Sequence, residues 1–396
     1  MVHEMITWPP SCAPGGEWHI GPLGLRTRVL PAPMCNITDR PFREILRRMG
    51  AHLVYTQMIS AEGLIRGDKG TWSLLDIGGE APPVAVQLLG GEPDRLAEAA
   101  KIIEQQGAAL VDINMGCPAR KVTGNNCGSA LMKDPQRVAA IVRALRRAVR
   151  IPVTVKMRAG WEDGQILAIE LARICEAEGA DAVALHARTR QQGYRGPADW
   201  RLIAELKQAV SIPVIGNGDI TSPADAVRMI RETRCDAIMI GRGLIGNPWL
   251  LRACERAMRD FCEGRIASEK QVPTDQMVEC EESYGRTVVR VPAYLLDVSI
   301  EQRFSLVLEH TRMMVAAKGQ RRGILEMRKH TVQYLRGLHG ARTFRERLMH
   351  VETLSELEAA LSEYLEWLRV RPQATTIVTP REQATELQVD ERQNAT

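Results

Sequence analysis

The stretch Pro83-Val84-Ala85-Val86-Gln87-Leu88 is apolar along almost its whole length, with one polar residue near its end. Strands that are buried on both faces of a parallel sheet show this near-continuous apolar character. Seven other short β-prone runs occur along the chain, and longer helical patterns separate most of them. The eight predicted strands are 29–33, 53–56, 84–88, 110–115, 153–157, 182–186, 214–217 and 237–240.

The alternation of strands and helices predicts βα units and a parallel sheet. Residues 151–153 and 212–214 both read Ile-Pro-Val and open two of the strands, which is an internal echo of the repeat. Eight strands is the number that closes a (β/α)8 barrel. An open doubly wound sheet is the alternative, but it usually has fewer strands and a GxGxxG motif after the first. Residues 33–36 at that place are Pro-Met-Cys-Asn.

The pattern changes after the eighth unit. Residues 265–299 read as an irregular insertion or linker, and helical periodicity returns in 300–318, 323–336 and 353–370. The last residues are rich in Pro, Thr, Gln and Glu without periodicity, which is typical of disorder. We therefore predict an α/β (β/α)8 TIM barrel followed by a small C-terminal helical bundle domain. The predicted segments are 1–20 (N-terminal extension), 21–264 (barrel), 265–299 (insertion), 300–370 (helical domain) and 371–396 (disordered tail).

Composition excludes several classes of protein. The chain has 396 residues, of which 45% are hydrophobic and 25% charged, so it is a folded protein rather than a disordered, collagen-like or coiled-coil one. It lacks the run of roughly 18 apolar residues that spans a bilayer, and no secretory signal is recognisable. The nine cysteines show no CxxC or zinc-site spacing. We expect free thiols, no metal, no membrane and a cytoplasmic location.

Basic residues are concentrated near the C-terminus. The formal net charge is only +4, but residues 312–347 contain ten basic and two acidic residues, including Arg321, Arg322, Arg328 and Lys329. A solvated helix face is one interpretation of such a cluster. A surface for a phosphate backbone is the other, since neutralising phosphates releases condensed counterions.

Polar residues end most of the predicted strands, and in a (β/α)8 barrel the chemistry lies at the carboxyl ends of the strands. A single such residue could simply meet solvent, but seven positions converging on one mouth favour a ligand site. Glycine-containing loops after strands seven and eight commonly bind phosphate in this fold. Arg242 could add a charge-assisted contact, and Lys156 could stabilise negative charge on an electron-accepting ring or a phosphate. The polar positions are Gln87, Asn114, Lys156 with Arg158, His186, Asn217-Gly218-Asp219 and Gly241-Arg242-Gly243.

Cys117 lies between Gly116 and Pro118 on the loop after the fourth strand. A free cysteine is most often a small buried hydrophobe, but loops at this end of a barrel hold catalytic groups. A thiol of ordinary pKa, about 8.5, is mostly protonated near neutrality and can act as a general acid. A nucleophilic thiolate is the alternative, and it requires a cationic neighbour.

Six ordered motifs together resemble the tRNA-dihydrouridine synthases, and their bacterial B-type branch in particular. The resemblance is strong over residues 20–262 and looser over 300–370. Residue 127 is a departure, because it is a cysteine where relatives usually have a small residue without a thiol. The motifs are 32–43 (APMCNITDRPFR), 112–118 (DINMGCP), 155–161 (VKMRAGW), 186–190 (HARTR), 215–220 (IGNGDI) and 239–243 (MIGRG).

The resemblance implies an FMN-dependent oxidoreductase that uses NADPH to reduce the C5–C6 double bond of a uridine in tRNA. It implies that Cys117 is the proton donor, that Asn114 lies on the substrate face, and that the C-terminal helical domain holds the tRNA. Arg158, Arg321, Arg322, Arg328 and Lys329 complete the expected substrate-binding residues. The positions expected to contact FMN are Pro33, Met34, Cys35, Gln87, Lys156, His186, Asn217, Gly218, Asp219, Gly241 and Arg242.

Two other functions remain open on the sequence. One is an FMN barrel that reduces a small molecule, for which the basic cluster would be irrelevant. The other is an RNA-binding protein whose barrel has lost catalysis, against which the intact Cys117, Lys156 and 217–219 set argues.

Overall fold

The structure is a computed structural model that describes residues 18–273, 275–282, 285–292, 298–336, 338 and 341–370, with 275–292, 342 and 343 described by backbone alone. Most of the expected extension 1–20 and the expected tail 371–396 therefore lie outside the described residues. The chain divides into two compact units. One is Met1–Leu244 with Pro248–Val272, and the other is Ile245–Asn247 with Pro273–Thr396.

Eight parallel strands with helices between them form the first unit, so the predicted (β/α)8 barrel is confirmed. Two further strands precede the barrel and one short strand lies within it. The strands are β1 (Trp18–Ile20), β2 (Leu23–Leu25), β3 (Val29–Pro31), β4 (Val54–Tyr55), β5 (Ile59–Ser60), β6 (Val84–Leu89), β7 (Leu110–Met115), β8 (Val153–Arg158), β9 (Ala182–His186), β10 (Val214–Asn217) and β11 (Ala237–Ile240).

The hydrogen-bonded order of the barrel is β3-β11-β10-β9-β8-β7-β6-β4, and β5 pairs with β6. Strands β3 and β4 are the two ends of this order and lie against each other, so the nearly closed ring has its seam between the first and second strands. The parallel register places neighbouring strand ends level with one another, for example Asn114 opposite Lys156 and His186 opposite Asn217. All the carboxyl ends therefore meet at one mouth.

Ten helices belong to the described part of this unit. In α6 the side chain of Asp134 caps the amide of Arg137, Pro135 occupies the first turn, and Val138, Ile141 and Leu145 are buried on one stripe. Helix α9 is built in the same way, with a Ser222 cap, Pro223 in the first turn and Val227 and Ile230 buried. The helices are α1 (Arg40–Arg48), α2 (Ala61–Ile65), α3 (Lys69–Leu75), α4 (Pro93–Gln105), α5 (Arg120–Thr123), α6 (Pro135–Ala148), α7 (Ala168–Ala177), α8 (Arg201–Ala209), α9 (Pro223–Thr233) and α10 (Trp249–Cys262), and short 3-10 helices cover Gly128–Lys133, Arg242–Leu244 and Glu269–Gln271.

An N-terminal hairpin, made of β1 and β2, closes the opposite end of the barrel. Trp18, Ile20 and Leu25 are buried in one cluster with Leu110 and Ala182, which are the first residues of their strands. Burial of side chains of this size stabilises by roughly 1.5–3 kcal/mol each. Trp18 and Ile20 therefore belong to the barrel core, whereas the sequence placed them in an N-terminal extension.

The second unit is helical at its C-terminal end, as predicted, but its described residues form four helices rather than three. They are α11 (Ile300–Lys318), α12 (Gln320–Tyr334), α13 (Ala341–Leu348) and α14 (Leu354–Arg369). Helix α13 was missed because its sequence is basic and has few apolar residues. Its Phe344 stacks on Tyr364 at a ring-centroid distance of 4.1 Å and packs edge-on against Trp367.

Gly323 lies inside α12, so this helix begins three residues before the predicted start. A Cβ atom at residue 323 would lie 2.8 Å from the backbone of Met314 in α11, so glycine permits the close approach of the two helices.

The segment expected to be irregular contains a hairpin of two antiparallel strands, β12 (Asp275–Glu282) and β13 (Gly285–Pro292). The β-branched run 287–291 has a partner strand that sequence reasoning did not recognise, because the partner is rich in acidic residues, which are depleted in strands.

Candidate active site

Gln87, Asn114 and Cys117 are joined at the mouth by one chain of hydrogen bonds. Asn114 Nδ2 donates to Gln87 Oε1 (2.8 Å), and Asn114 Oδ1 accepts from the backbone N–H groups of Cys117 (2.9 Å) and Gly116 (3.2 Å). Gln87 Nε2 donates in turn to Asp112 Oδ2 (2.7 Å) in the barrel interior. The predicted cofactor residue Gln87 is therefore 1% exposed, with both ends of its amide bonded within the protein.

The Cys117 thiol is half-buried on the loop between β7 and α5. Burial raises the pKa of this thiol above its ordinary value, although the amide of Ala119 and the charge of Arg158 act in the opposite direction. The backbone carbonyl of Cys117 accepts from both the amide (3.1 Å) and the hydroxyl (3.0 Å) of Ser129, which fixes the loop. The geometry therefore favours the protonated thiol over the thiolate that the sequence left open.

Lys156 and Asn217 meet across the mouth. Lys156 Nζ donates to Asn217 Oδ1 (3.0 Å), and Asn217 Nδ2 donates to the carbonyl of Met239 (2.7 Å), which orients the Asn217 amide. Burial, together with the charge of Arg158, lowers the pKa of Lys156 to about 8, while Asp112 acts in the opposite direction. Lys156 therefore still carries a positive charge at neutral pH, beside the ends of β8 and β10.

Arg158 was predicted to bind substrate, but in the structure its guanidinium holds two loops. It is 2% exposed, its Nε donates to the carbonyl of Gly116 (2.8 Å), and its Nη1 donates to the carbonyls of Thr189 (2.9 Å) and Gly193 (2.7 Å). The loop that carries Cys117 is thereby tied to the loop after β9. Arg158 therefore lies at the mouth as predicted, but its guanidinium stabilises the two loops.

Arg188 is a member of the site to which the sequence assigned no role. Its Nη2 lies 2.7 Å from both carboxylate oxygens of Asp219, and its Nη1 lies 3.3 Å from His186 Nε2. Asp219 also accepts from the amide of Ala198 (2.7 Å). The Asp219 carboxylate, predicted to contact cofactor, is thus used to position the loops after β9 and β10, and Arg188 is only 3% exposed.

Gly218 has φ +124°, a backbone conformation that only glycine adopts without strain. A Cβ atom there would lie 2.8 Å from the Cβ of Ala198 and 3.2 Å from the ring of His186. The loop after β10 consequently lies close to His186, with Asn217, Gly218 and Asp219 at the mouth.

The loops after β3 and β11 are also neighbours. A Cβ atom at Gly241 would lie 3.7 Å from Met34 Sδ. Pro33, Met34 and Cys35 follow β3, the amide of Met34 donates to Thr38 Oγ1 (3.1 Å), and Cys35 is exposed. Three predicted cofactor positions therefore lie on the loop beside the one that carries a fourth, where β3 pairs with β11.

Positive charge is concentrated around His186. Burial first, then the charges of Arg158, Lys156, Arg188 and Arg242, lower the pKa of His186 well below its ordinary value. The imidazole is neutral at pH 7. Arg242 lies over the ring of Tyr194 at 4.3 Å and is exposed. The mouth therefore suits an anionic ligand.

The basic residues predicted in the helical unit differ in availability. Arg321 is exposed, and Arg322 is exposed but paired with Glu326 (2.7 Å). Arg328 is half-buried and its Nη2 donates to the carbonyl of Val351 (2.7 Å), so its guanidinium supports the turn before α14. Lys329 is half-buried.

Within the described ranges, no group of His, Cys, Asp or Glu side chains is arranged to hold a metal ion. No helix in that same part of the chain is long and apolar enough to cross a membrane.

Several known proteins are similar to this chain in sequence or in fold. A tRNA-dihydrouridine synthase B from Pseudomonas aeruginosa is 39% identical over 326 residues, which is 82% of this chain and 89% of that protein. A probable tRNA-dihydrouridine synthase from Rickettsia bellii is 38% identical over 82% of this chain and 91% of that protein. A solved histamine dehydrogenase from Rhizobium sp. 4-9 aligns over 63% of this chain and 48% of that chain, with 16% identity and a TM-score of 0.49. The family model described as dihydrouridine synthase (Dus) matches residues 30–368, and the chain belongs to this family.

Proposed function

We propose that the protein is an FMN-dependent tRNA-dihydrouridine synthase, which reduces the C5–C6 double bond of a uridine in tRNA with electrons from NADPH. The observation that carries the proposal is the half-buried thiol of Cys117, kept protonated at a mouth rich in positive charge. The name of the Pseudomonas relative supports the substrate class. NADPH is supported by the family resemblance alone.

The residues present fit FMN. A phosphate needs cations and a backbone that can approach it closely, and the mouth offers the exposed Arg242 and the glycine loops at 217–219 and 241–243. Lys156 would lie against the electron-accepting ring, where its charge stabilises added electron density. The remaining residues proposed to line the cofactor are Pro33, Met34, Cys35, Gln87, His186 and Asp219, of which Asp219 acts through Arg188.

Bound at this mouth and reduced by NADPH, FMN would supply the hydride for C6 of the uracil. The addition leaves negative charge on the uracil, and the thiol of Cys117 donates a proton to C5, so hydride and proton together saturate the double bond. The side chain of Asn114 accepts from the backbone amides of Gly116 and Cys117 and thereby positions the Cys117 loop. The same side chain is proposed to face the substrate. The protein's own tasks are orientation and proton supply.

The target uracil must leave its stack in the folded tRNA before it can reach the mouth. Base extrusion costs a few kcal/mol, which contacts to the RNA backbone can offset. We assign this role to the basic helical unit, with Arg321 and Arg322 as the exposed contacts and the half-buried Lys329 further along the same helix. Arg328 would act by supporting the turn that its guanidinium holds.

The test of the function compares Cys117→Ala with Cys127→Ala, a matched loss of a half-buried thiol ten residues away. Both purified proteins should retain flavin absorbance. Cys127→Ala should form dihydrouridine in unmodified tRNA with NADPH, whereas Cys117→Ala should lose the product. A wild-type protein that is colourless and cannot be reconstituted with FMN would overturn the proposal, and undiminished product from Cys117→Ala would exclude that thiol as the acid.

The two other functions predict different results. An FMN barrel acting on a small molecule predicts no effect on activity when Arg321 and Arg322 are changed to Gln, whereas the proposed function predicts weaker tRNA binding with a reduced salt dependence. A lapsed RNA-binding protein predicts tight tRNA binding with NADPH oxidation that never accelerates on addition of unmodified tRNA.

A further inference from the structure

Asp112 is a carboxylate inside the barrel, and the mechanism above gives it no role. It lies on β7 two residues before Asn114, so both side chains point to the barrel interior. It is 2% exposed, and it accepts hydrogen bonds from Gln87 Nε2 (2.7 Å) and Thr154 Oγ1 (2.7 Å), which occupy the facing register positions on β6 and β8. A buried carboxylate costs free energy unless it is bonded in this way.

The groups around Asp112 determine its protonation state. Burial raises the pKa of this carboxyl to about 6, while the bonds from Gln87 and Thr154 and the charge of Lys156 hold it down. Tyr55 faces it as well, and burial together with the Asp112 charge raises the pKa of that phenol. Asp112 is therefore mostly ionised at pH 7.5 and only accepts hydrogen bonds.

Ionised Asp112 gives direction to the hydrogen bonds above it. Gln87 must turn its NH2 group towards the carboxylate, which leaves Oε1 to accept from Asn114 Nδ2. Asn114 must then turn Oδ1 towards the amides of Gly116 and Cys117. The Asp112 carboxylate accepts at one end of this chain, and the backbone N–H groups of the Cys117 loop donate at the other end. Only one orientation of the two side-chain amides between them lets every donor meet an acceptor.

We propose that Asp112 is a positioning residue for the Cys117 thiol, acting through the amides of Gln87 and Asn114 on the backbone of the Cys117 loop. The consequence for chemistry rests on the proposed function, in which this thiol is the proton donor. The positioning itself is a property of the chain and is measured without tRNA or NADPH.

The test measures the alkylation of individual cysteines by iodoacetamide in the full-length protein at pH 8, quantified by peptide mass spectrometry at matched flavin content. Cys262, which is half-buried in α10, is the internal reference. Asp112→Leu should speed the alkylation of Cys117 about threefold to tenfold relative to Cys262, because a released loop loses the burial that raises the thiol pKa. Thr154→Val removes the other bond to Asp112 without breaking the chain, and should leave the Cys117 rate within about twofold of wild type.

A second pair keeps the test decisive if Asp112→Leu fails to fold. Asn114→Asp puts an acceptor against Gln87 Oε1 and should speed Cys117 alkylation. Adding Asp112→Asn lets Gln87 turn over, so that its NH2 group donates to the new carboxylate and its Oε1 accepts from the new amide. The double variant therefore has the wild-type net charge and restores the hydrogen bonds that run from residue 112 through Gln87 to residue 114, although the long contact to Met58 Sδ (4.0 Å) is lost. Its Cys117 rate should return towards wild type.

Equal effects of Asp112→Leu and Thr154→Val, or a double variant as fast as Asn114→Asp, would overturn the inference. A protein that shows this coupling but never reduces tRNA would instead refute the proposed function and leave the positioning intact.

Discussion

Replacement of Arg158 by lysine separates the role that the sequence assigned to this residue from the one that the structure shows. Three carbonyls on two loops, those of Gly116, Thr189 and Gly193, accept from its guanidinium at 2.7–2.9 Å. A lysine ammonium is a single compact charge on a flexible stem and cannot reach all three. Arg158→Lys keeps the charge type but loses two of the bonds.

The magnitude follows from the burial of this residue. A hydrogen bond to a charged group contributes about 1.5–3 kcal/mol, so the loss of two costs about 3 kcal/mol or more. Burial already lowers the pKa of Arg158, and it lowers a lysine pKa further towards neutrality, which adds to the cost. For a unit of this size, 1 kcal/mol shifts Tm by about 2–4 °C, so the barrel Tm should fall by about 6–12 °C.

The assay is thermal unfolding followed by circular dichroism at matched flavin content. Arg195→Lys is the control, because Arg195 is exposed on the same loop after β9. It should leave Tm within about 1 °C of wild type. If Arg158→Lys also leaves Tm unchanged and instead raises KM for tRNA, Arg158 contacts substrate and the structural argument is wrong.

Two further predictions concern the helical unit. Burial lowers the pKa of His310 to about 3, against about 6.5 in an unfolded chain. Because only the unfolded chain takes up this proton, stability falls as pH drops below about 6.5, by about 2 kcal/mol at pH 5. His310→Gln should therefore lose less stability between pH 7 and pH 5 in urea titrations, and parallel losses in the two proteins would contradict this. Gly323→Ala should destabilise by about 1–3 kcal/mol, since the added Cβ lies 2.8 Å from the Met314 backbone. Leu325→Ala, an exposed change in the same helix, should alter the urea midpoint little, and equal midpoints for the two variants would refute the close-approach argument.

The barrel could be predicted because each of its strands is short, apolar and separated by a helical pattern. A short run of this composition has few alternatives to a buried strand, so four of the eight strands have the predicted boundaries and the other four differ by at most two residues at either end. The N-terminal hairpin and α13 could not be predicted in the same way. They are held by a few large side chains, Trp18 in one and Phe344 in the other, whose partners lie far away in sequence.

The sequence indicates which residues lie at the mouth of the barrel better than it indicates what each of them does there. Strand ends supply the residues, and the sequence shows where strands end. It does not show which side chains bond to the protein itself, as Gln87, Arg158 and Asp219 do. The sequence does contain a signal for Asp112: a charged residue two positions before Asn114 on a buried strand must face the barrel interior.

The pairing of β3 with β11 ties the start of the ring to its end. A ribosome adds about 5–20 residues per second, so the edge of the first strand waits roughly 10–40 s for the partner that follows more than two hundred residues later. During translation that edge offers unpaired amides and carbonyls to other chains. Synthesis of this protein thus includes an interval in which an incomplete ring must be kept from aggregating.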